Sequence, residues 1–330
     1  MATSRPNNPI ELIDARIEAW PLAQPFIISR GSKTEAHVLV VEVSQDGVIG
    51  RGEAVPYARY GETPQSALEQ VRKIALQNRE DLQQTAPAGA ARNALDCALW
   101  DLESKSKHQR AYEIAKLPPP RHTPTFYTLN LATPGAMAEQ ASKHRNLPLL
   151  KLKLGGEGDA DRMRAVRAAR PDARLIADAN EAWSTDNLER LLNIAAELGF
   201  ETIEQPLPAD DDASLATITR CIPVCADESA HTTSDLVSLQ DRYDAVNIKL
   251  DKAGGLTEAL LMTEKAKALG FKIMVGSMVA TSLAIAPALL LAADAEWVDL
   301  DSPLLLARDR DHAIEIVNGV ISPPASQLWG

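Results

Sequence analysis

The chain has 330 residues, of which 45% are hydrophobic, and this is enough to bury a substantial core in one large domain or two. Its formal net charge of −11 excludes the basic surface by which proteins bind nucleic acids or anionic membranes. The N-terminus lacks the apolar run of a signal peptide, and the richest apolar stretch, residues 278–293, contains Pro287 and is short for a membrane span, which predicts a cytoplasmic protein.

The sequence contains three cysteines, Cys97, Cys221 and Cys225. They are few and odd in number, and the last two lack the second ligand pair that a structural zinc site needs. We therefore predict that all three are reduced thiols in the core.

The first third of the chain mixes strand and helix patterns. Residues 37–43 form a short alternating strand pattern, and residues 63–75 carry apolar side chains at helical spacing after a proline at the start. A second helix is predicted over residues 90–104, and the prolines at 118–120 then break the pattern. This α+β pattern places a domain boundary near residue 120.

After residue 120, short apolar strands alternate with amphipathic helices, which is typical of βα units on a parallel sheet. The clearest helix begins at a capping Ser184 or Thr185 and ends at Gly199. Eight segments are candidate strands: 125–130, 149–154, 174–180, 201–205, 222–228, 245–250, 272–277 and 297–301. No Gly-rich phosphate-binding turn follows the first of them, so a closed barrel is favoured over an open doubly wound sheet.

Charged residues recur at the ends of six of these strands, at Lys153, Asp178, Glu204, Asp227, Lys249 and Asp299. They are separated by 25, 26, 23, 22 and 50 residues, and the last gap spans two units. Each should therefore lie at the C-terminal mouth of its strand, where barrel enzymes build their sites. Side-chain parity agrees, because the charges alternate with leucines and isoleucines that can face the helices. The spacing predicts one shared pocket.

Three of these residues are carboxylates on consecutive strands, namely Asp178, Glu204 and Asp227. Hard oxygen ligands of this kind suit Mg²⁺, with water or substrate oxygens completing the coordination. A single acid at a strand end is more often a helix cap or a salt-bridge partner. Three in consecutive units favour a metal site, because buried charges are seldom left unpaired.

Two lysines, Lys153 and Lys249, fall on the second and sixth predicted strands, half a barrel apart. A metal-bound substrate between them would present opposite faces of its α-carbon to two amines. We expect the metal to stabilise the enolate that forms on deprotonation, and burial and the cation to lower the pKa of both lysines. The alternative, two surface lysines, explains neither their inward parity nor their positions on either side of the acids.

These residues resemble the motifs of the enolase superfamily, and specifically of its muconate-lactonizing subgroup, over essentially the whole chain. The matching segments are residues 151–153 (KLK), 178–180 (DAN), 204–206 (EQP), 227–229 (DES) and 247–255 (NIKLDKAGG). The resemblance implies a (β/α)₇β modified TIM barrel over residues 121–310 and an α+β capping domain over residues 1–120, completed by residues 311–330. It also implies one Mg²⁺ per subunit.

The subgroup contains several reactions that use the same lysine pair, so the catalytic motifs do not choose among them. Asp299-Leu-Asp301 resembles the motif with which dipeptide epimerases hold the free ammonium of their substrate. Its strand lies opposite the central strand of the metal site, so a substrate with its carboxylate on the metal would extend toward these acids. Residues 57–62 (YARYGE) and 88–101 (AGAARNALDCALWD) are similar to segments of bacterial L-Ala-D/L-Glu epimerases. This resemblance implies an Mg²⁺-dependent epimerase of Ala-Glu dipeptides, as in cell-wall peptide recycling, and we expect Lys151 to support the substrate carboxylate.

In this family, a cation on a cap loop near residue 30 pairs with the side-chain carboxylate of the substrate. Arg30 and Lys33 are both in range. Arg30 is favoured by the bidentate geometry of a guanidinium, but the sequence leaves the choice open.

Other readings of the same motifs stay open at this point. They are o-succinylbenzoate synthase, N-acylamino acid racemase or cycloisomerase activity, and, from another class, a non-catalytic barrel that binds a metal or a ligand. The histidine and aspartate pair of the mandelate racemase branch is missing from the strand ends, and His231 after the fifth strand is interpreted as structural. The sequence is also compatible with a homo-oligomer.

Overall fold

The structure is a computed structural model, and it describes residues 8–330. Its first part is an antiparallel sheet in the order β1-β2-β3, followed by four helices. The elements are β1 (Glu11–Ile28), β2 (Gly31–Gln45), β3 (Val48–Ala54), α1 (Pro64–Val71), α2 (Arg79–Thr85), α3 (Ala90–Lys107) and α4 (Ala111–Ile114). We call this part, residues 8–120, the cap.

Helix α3 packs directly on strand β3, and two glycines make this possible. A Cβ atom on Gly50 would lie 2.2 Å from Ala98 O, and one on Gly52 would lie 2.0 Å from Ala94 O. Any larger residue would push the helix off the sheet. The opposite side of α3 contacts the second part of the chain, where Arg92 Nη2 donates to Ala253 O at 2.6 Å. This helix is therefore the core of the cap and also its contact with the barrel.

The second part is an eight-stranded parallel barrel in the order β12-β11-β10-β9-β8-β7-β6-β5. Its strands are β5 (Tyr127–Leu129), β6 (Leu149–Lys153), β7 (Arg174–Asp178), β8 (Phe200–Glu204), β9 (Val224–Ala226), β10 (Ala245–Ile248), β11 (Lys272–Gly276) and β12 (Trp297–Asp299). The first and last strands meet where Phe126 N donates to Val298 O at 2.9 Å. The predicted fold class is confirmed.

The helices of the barrel are α5 (Pro134–Lys143), α6 (Asp159–Ala169), α7 (Thr185–Glu197), α8 (Leu236–Leu239), α9 (Leu250–Ala253), α10 (Leu256–Ala268), α11 (Ser282–Ala288) and α12 (Ser302–Leu305). A small sheet in the order β13-β14-β4 is formed by β4 (Thr123–Pro124), β13 (Ile316–Val317) and β14 (Val320–Ile321). Short 3₁₀ helices lie at 58–60, 213–216 and 289–294.

The main differences from the sequence-based expectation are at element ends. All eight predicted barrel strands exist, but several are shorter, so that Asp227, Lys249 and Asp301 lie just beyond their strands. Helix α7 begins after Ser184, one of the two predicted cap residues, whose N donates to Asn187 Oδ1 at 3.1 Å. Helix α1 ends at Val71 instead of continuing to residue 75, because Ile74 and Leu76 leave the helix to pack against the cap core.

The C-terminal residues return to the cap. Trp329 is buried and its Nε1 donates to Cys97 O at 2.9 Å, while Gly330 N donates to Asp101 Oδ1 at 2.9 Å. These contacts join the C-terminus to helix α3 of the cap. The division into domains at residue 120 stays a prediction.

The three cysteines are all free, and Cys97 and Cys225 are buried. The expectation that Cys221 is also a core residue is wrong, since it lies exposed just before strand β9. Within residues 8–330, no helix combines the length and the apolar character that a membrane crossing requires.

Candidate active site

The charged residues at the strand ends meet at one mouth of the barrel. Lys153, Asp178 and Glu204 are the last residues of β6, β7 and β8, and the strand register pairs each with the next. Asp227 and Lys249 each follow immediately after their strands. The repeat of one charge per βα unit therefore becomes a continuous arc of charge across the barrel mouth.

Each of the three acids is paired with a lysine. Lys153 Nζ lies 2.5 Å from Asp178 Oδ2, and Lys249 Nζ lies 2.7 Å from Asp227 Oδ2. The Nζ atom of Lys151 lies 2.5 Å from Glu204 Oε2. All of these side chains are buried, and water therefore screens each ion pair only weakly.

The ion pairs shift the pKa values of the carboxylates in different directions. Burial opposes ionisation of Asp178, but Lys153 and Lys151 outweigh it and lower its pKa to about 2. The pKa of Asp227 is held well below its usual range by Lys249 and Lys252, again against burial. The pKa of Glu204 is raised by burial and by the charge of Asp178.

The pKa of Lys249 differs from the sequence-based expectation. Burial lowers the pKa of Lys249, but Asp227 and Glu204 raise it more, so the net shift is upward. The same holds for Lys151. The expected fall in lysine pKa therefore requires that positive charge other than the lysines first neutralise these acids.

The acids fit a divalent cation by their chemistry. Glu204 Oε2 and Asp227 Oδ1 are buried and receive no directed hydrogen bond, although the ammonium groups of Lys151 and Lys252 lie 2.5 and 2.7 Å away. Within residues 8–330, no three acidic, His or Cys side chains are already gathered at ligand spacing, because lysines lie between the acids. Hard oxygens with unused lone pairs on adjacent strands are nevertheless the donor set that Mg²⁺ prefers.

The two predicted catalytic lysines lie on opposite sides of the mouth. Strands β6 and β10 are four positions apart in the eight-stranded order. Lys153, Lys249 and Asp227 line a cavity of about 60 Å³, together with cap residues that include Tyr57. The cavity opens beside a larger groove of about 810 Å³ under the turn between β1 and β2. A small molecule in this cavity would meet an amine from each side.

Asp299 and Asp301 lie on the far side of the mouth, on and just after β12, and do not line this cavity. Lys151 Nζ connects them to the acid cluster, because it also lies 2.6 Å from Asp299 Oδ2. Asp299 Oδ1 is buried without a hydrogen-bond partner, and Asp301 Oδ2 accepts from Thr128 N at 2.7 Å. Burial and the charge of Asp299 raise the pKa of Asp301 to about 7. Together, the two carboxyls have acceptor capacity for a buried cation.

The two cap cations have different surroundings. Arg30 Nη2 donates to Glu228 Oε1 at 2.7 Å, and its Nη1 donates to Asn180 O at 3.0 Å and to Glu181 Oε2 at 3.1 Å. Lys33 makes no ion pair within the described part of the chain, and its Nζ lies 5.2 Å from the centre of the Tyr57 ring. Burial lowers the pKa of Lys33, and Lys153 and Arg30 lower it further.

Several residues of the site were not predicted from the sequence. Lys252 Nζ donates to Asp227 O at 2.5 Å and to Asn247 O at 3.0 Å, and Asn247 Nδ2 donates to Glu204 Oε1 at 2.8 Å. The signal for Lys252 was present, because it lies three residues after Lys249, on the same helical face. Glu181 gave no such signal, since its two arginine partners come from the cap.

Two family models match the chain. Residues 12–114 match the mandelate racemase / muconate lactonizing enzyme N-terminal domain, and residues 136–327 match the enolase C-terminal domain-like family. Among curated relatives, the L-Ala-D/L-Glu epimerase of Escherichia coli is 47% identical over 309 residues, covering 92% of this chain and 96% of the relative. An N-acetyl-D-glutamate racemase of a Pseudoalteromonas species is 44% identical over 303 residues, covering 89% and 95%.

Solved structures agree with these matches. An enolase family member from Agrobacterium tumefaciens, described as homologous to dipeptide epimerases and holding sodium and L-Ala-L-Glu, has a TM-score of 0.95 at 49% identity and covers 98% of this chain and 100% of its own. A dipeptide epimerase from Enterococcus faecalis, complexed with Mg and L-Leu-L-Tyr, has a TM-score of 0.89 at 27% identity, covering 98% and 99%. The chain belongs to the mandelate racemase / muconate lactonizing enzyme family of the enolase superfamily.

Proposed function

We propose that the protein is a Mg²⁺-dependent dipeptide epimerase that inverts the α-carbon of the C-terminal residue of Ala-Glu dipeptides. The observation that carries this proposal is the placement of Lys153 and Lys249 on opposite strands of one cavity, with Asp299 and Asp301 across the mouth. The identity to curated epimerases supports the same class of reaction.

The two lysines would act as an acid and a base on opposite faces of the substrate. One lysine, neutral at the start, removes the α-proton, so that the α C–H bond breaks and an N–H bond forms. The electron pair left behind is delocalised into the substrate carboxylate. The other lysine, charged at the start, returns a proton to the opposite face, and the configuration is inverted.

Asp178, Glu204 and Asp227 would hold the Mg²⁺. When bound, the ion supplies positive charge that offsets the second negative charge developing on the substrate carboxylate. Asn247 and Lys252 hold the acids in place, because they bond Glu204 Oε1 and the backbone oxygen of Asp227. Lys151 is placed to support the substrate carboxylate from the side of Asp299.

The ends of the dipeptide would be held by separate groups. The buried, unpartnered Asp299 Oδ1 suits the N-terminal ammonium, because a buried acceptor without a donor is costly unless the substrate supplies one. We assign the side-chain carboxylate of the glutamyl residue to Lys33 instead of Arg30. Arg30 already binds Glu228, Glu181 and a carbonyl oxygen, whereas Lys33 has no carboxylate partner within residues 8–330.

A second candidate is racemisation of an N-acylglutamate, favoured by the 44% identity to an N-acetyl-D-glutamate racemase. The chemistry at the α-carbon would be the same, but an acyl group carries no positive charge. Asp299 and Asp301 would then face a neutral group while carrying negative charge of their own. We rank the dipeptide first because two acids at this place suit an ammonium.

The test is deuterium exchange at the glutamyl α-carbon in D₂O with Mg²⁺, followed by NMR. L-Ala-L-Glu, L-Ala-D-Glu and N-acetyl-L-glutamate are compared at equal concentrations. The proposal requires exchange with both Ala-Glu isomers at a higher kcat/KM than with N-acetylglutamate. Exchange with N-acetylglutamate alone would establish the second candidate, and dehydration of a lyase substrate would contradict both.

A further inference from the structure

Two arginines from separate cap segments converge on one barrel carboxylate, Glu181. Arg59, in the 3₁₀ turn 58–60, donates from Nε and Nη2 to the two oxygens of Glu181 at 2.7 Å each. Arg30, in the turn between β1 and β2, donates to Glu181 Oε2 at 3.1 Å. Ala209 N donates to Glu181 Oε1 at 2.9 Å. A bidentate arginine pair of this kind fixes orientation as well as position.

Glu181 is held rigidly on the barrel side. It lies three residues after Asp178, and its backbone and that of Asn180 adopt left-handed φ values of 65° and 45°. This conformation is costly for residues other than glycine and persists only where the surroundings enforce it. Glu181 N donates to Gln205 O at 2.9 Å, which ties the segment to the loop after β8. The Glu181 carboxylate is therefore a rigidly held acceptor to which the cap arginines bind.

The cap segments that bind Glu181 form one wall of the cavity that contains Lys153 and Lys249. The turn between β1 and β2 carries Arg30 and is followed by Lys33, and the segment before Arg59 carries Tyr57, whose ring lies under Lys33. Movement of either arginine would therefore displace Lys33 from the place where it meets the substrate side chain.

We infer that Glu181 is a positioning residue that sets the enzyme's preference for an anionic side chain on the epimerised residue, acting through the two arginines and Lys33. This inference rests on the proposed function and on the assignment of Lys33. It adds to them a determinant of specificity that does not contact the substrate.

A purely structural role for Glu181 predicts a clear fall in the melting temperature and equal changes in KM for both dipeptides. The Arg59 side chain is 37% exposed, whereas that of Glu181 is 9% exposed, and water around the arginine weakens the contribution of this ion pair to global stability. The loss of Glu181 should therefore appear in substrate discrimination and in local order of the cap turn, and only weakly in the melting temperature.

The experiment measures kcat and KM for L-Ala-L-Glu and L-Ala-L-Gln in Glu181→Gln, Arg59→Gln, Lys33→Met and the Glu181→Gln/Lys33→Met double variant. Glu189→Gln is the matched control, since Glu189 is exposed on α7 of the same barrel unit and makes no ion pair within residues 8–330. Hydrogen–deuterium exchange of residues 28–34, followed by mass spectrometry, reports on the cap turn without depending on activity.

We expect Glu181→Gln to raise KM for L-Ala-L-Glu about tenfold, with kcat within about twofold of the parent, because fewer molecules hold the turn in its binding position. The preference for Glu over Gln should fall by a similar factor, and exchange in residues 28–34 should become faster. Arg59→Gln should have the same effects to a smaller extent. In the Lys33→Met background, Glu181→Gln should leave the remaining preference unchanged.

Equal increases in KM for both dipeptides, or unchanged exchange in residues 28–34, would overturn the inference. If Glu181→Gln does not fold, Arg59→Gln at its exposed position provides the same readouts. If the parent protein turns over no dipeptide, the proposed function fails, and the exchange measurement still decides whether Glu181 orders the cap turn.

Discussion

The substitution Asp299→Asn tests the placement of the substrate ammonium. The change preserves shape and removes the negative charge. Lys151 Nζ lies 2.6 Å from Asp299 Oδ2, so the amide oxygen of the variant should stay on that side. The amide nitrogen would then replace Oδ1, which is buried and has no donor of its own. A donor would face the place that we assign to the ammonium.

The loss can be estimated from the interaction that is removed. A hydrogen bond to a charged group contributes about 1.5–3 kcal/mol, which corresponds to about 10- to 150-fold in kcat/KM. Because the variant also places a donor against a cation, we expect the upper part of that range for L-Ala-L-Glu. N-acetyl-L-glutamate has no ammonium, and its kcat/KM should change by less than about threefold, within the usual spread of neutral substitutions.

The assay is the initial rate of epimerisation, followed by chiral chromatography, for both substrates on the parent and the variant. The melting temperature of the variant serves as the control for folding. If both substrates lose kcat/KM by the same factor, then Asp299 acts through Lys151 and the metal site. That result would refute the ammonium assignment.

Four further results are expected. Lys249→Ala should reduce epimerisation by about 10²- to 10⁴-fold, while NMR in D₂O still detects α-proton exchange of the isomer served by Lys153. The carboxyl of Asp301, with its pKa raised to about 7, is charged above that pH and protonated below it, so KM for the dipeptide should rise as pH falls through about 7, whereas KM for N-acetylglutamate should not. In thermal melts, Mg²⁺ at a hundredfold excess over its dissociation constant should stabilise the protein by about 2.7 kcal/mol, and Asp227→Asn should remove this effect. Trp329→Ala should lower the free energy of unfolding in urea by about 3–5 kcal/mol, because the indole is buried and its Nε1 donates to Cys97 O on α3.

The barrel and most of the charged residues at its mouth follow from the sequence because they share one period. Each βα unit places its strand end at the same mouth, so Lys153, Asp178 and Glu204 come into register without any long-range information. The same argument works for Lys249, although this residue lies one position beyond its strand. An error of one residue in the end of a strand does not change this prediction, because every strand of the barrel ends at the same mouth.

The direction of the pKa shift of Lys249 could not be predicted from the spacing. Burial and a cation both lower the pKa of a lysine, but the acids that hold the cation act in the opposite direction. Their effect depends on distances, such as the 2.7 Å between Lys249 Nζ and Asp227 Oδ2. Spacing along the chain predicts which groups share a pocket, but it does not predict which group is paired with which.

The cap was the least predictable part of the site, and the reason is physical. Arg30 and Lys33 lie three residues apart on one turn, and local sequence favoured Arg30 because a guanidinium binds a carboxylate with two hydrogen bonds. The same geometry allows Arg30 to bind carboxylates of the protein itself. Its partners, Glu181 and Glu228, lie far from it along the chain. The lysine left without a carboxylate partner in the described structure is then the better candidate for a substrate carboxylate. The charged residues of the barrel repeat with the βα units, whereas the contacts between cap and barrel do not repeat. We therefore expect substrate specificity to be sensitive to the contacts that hold the cap in place.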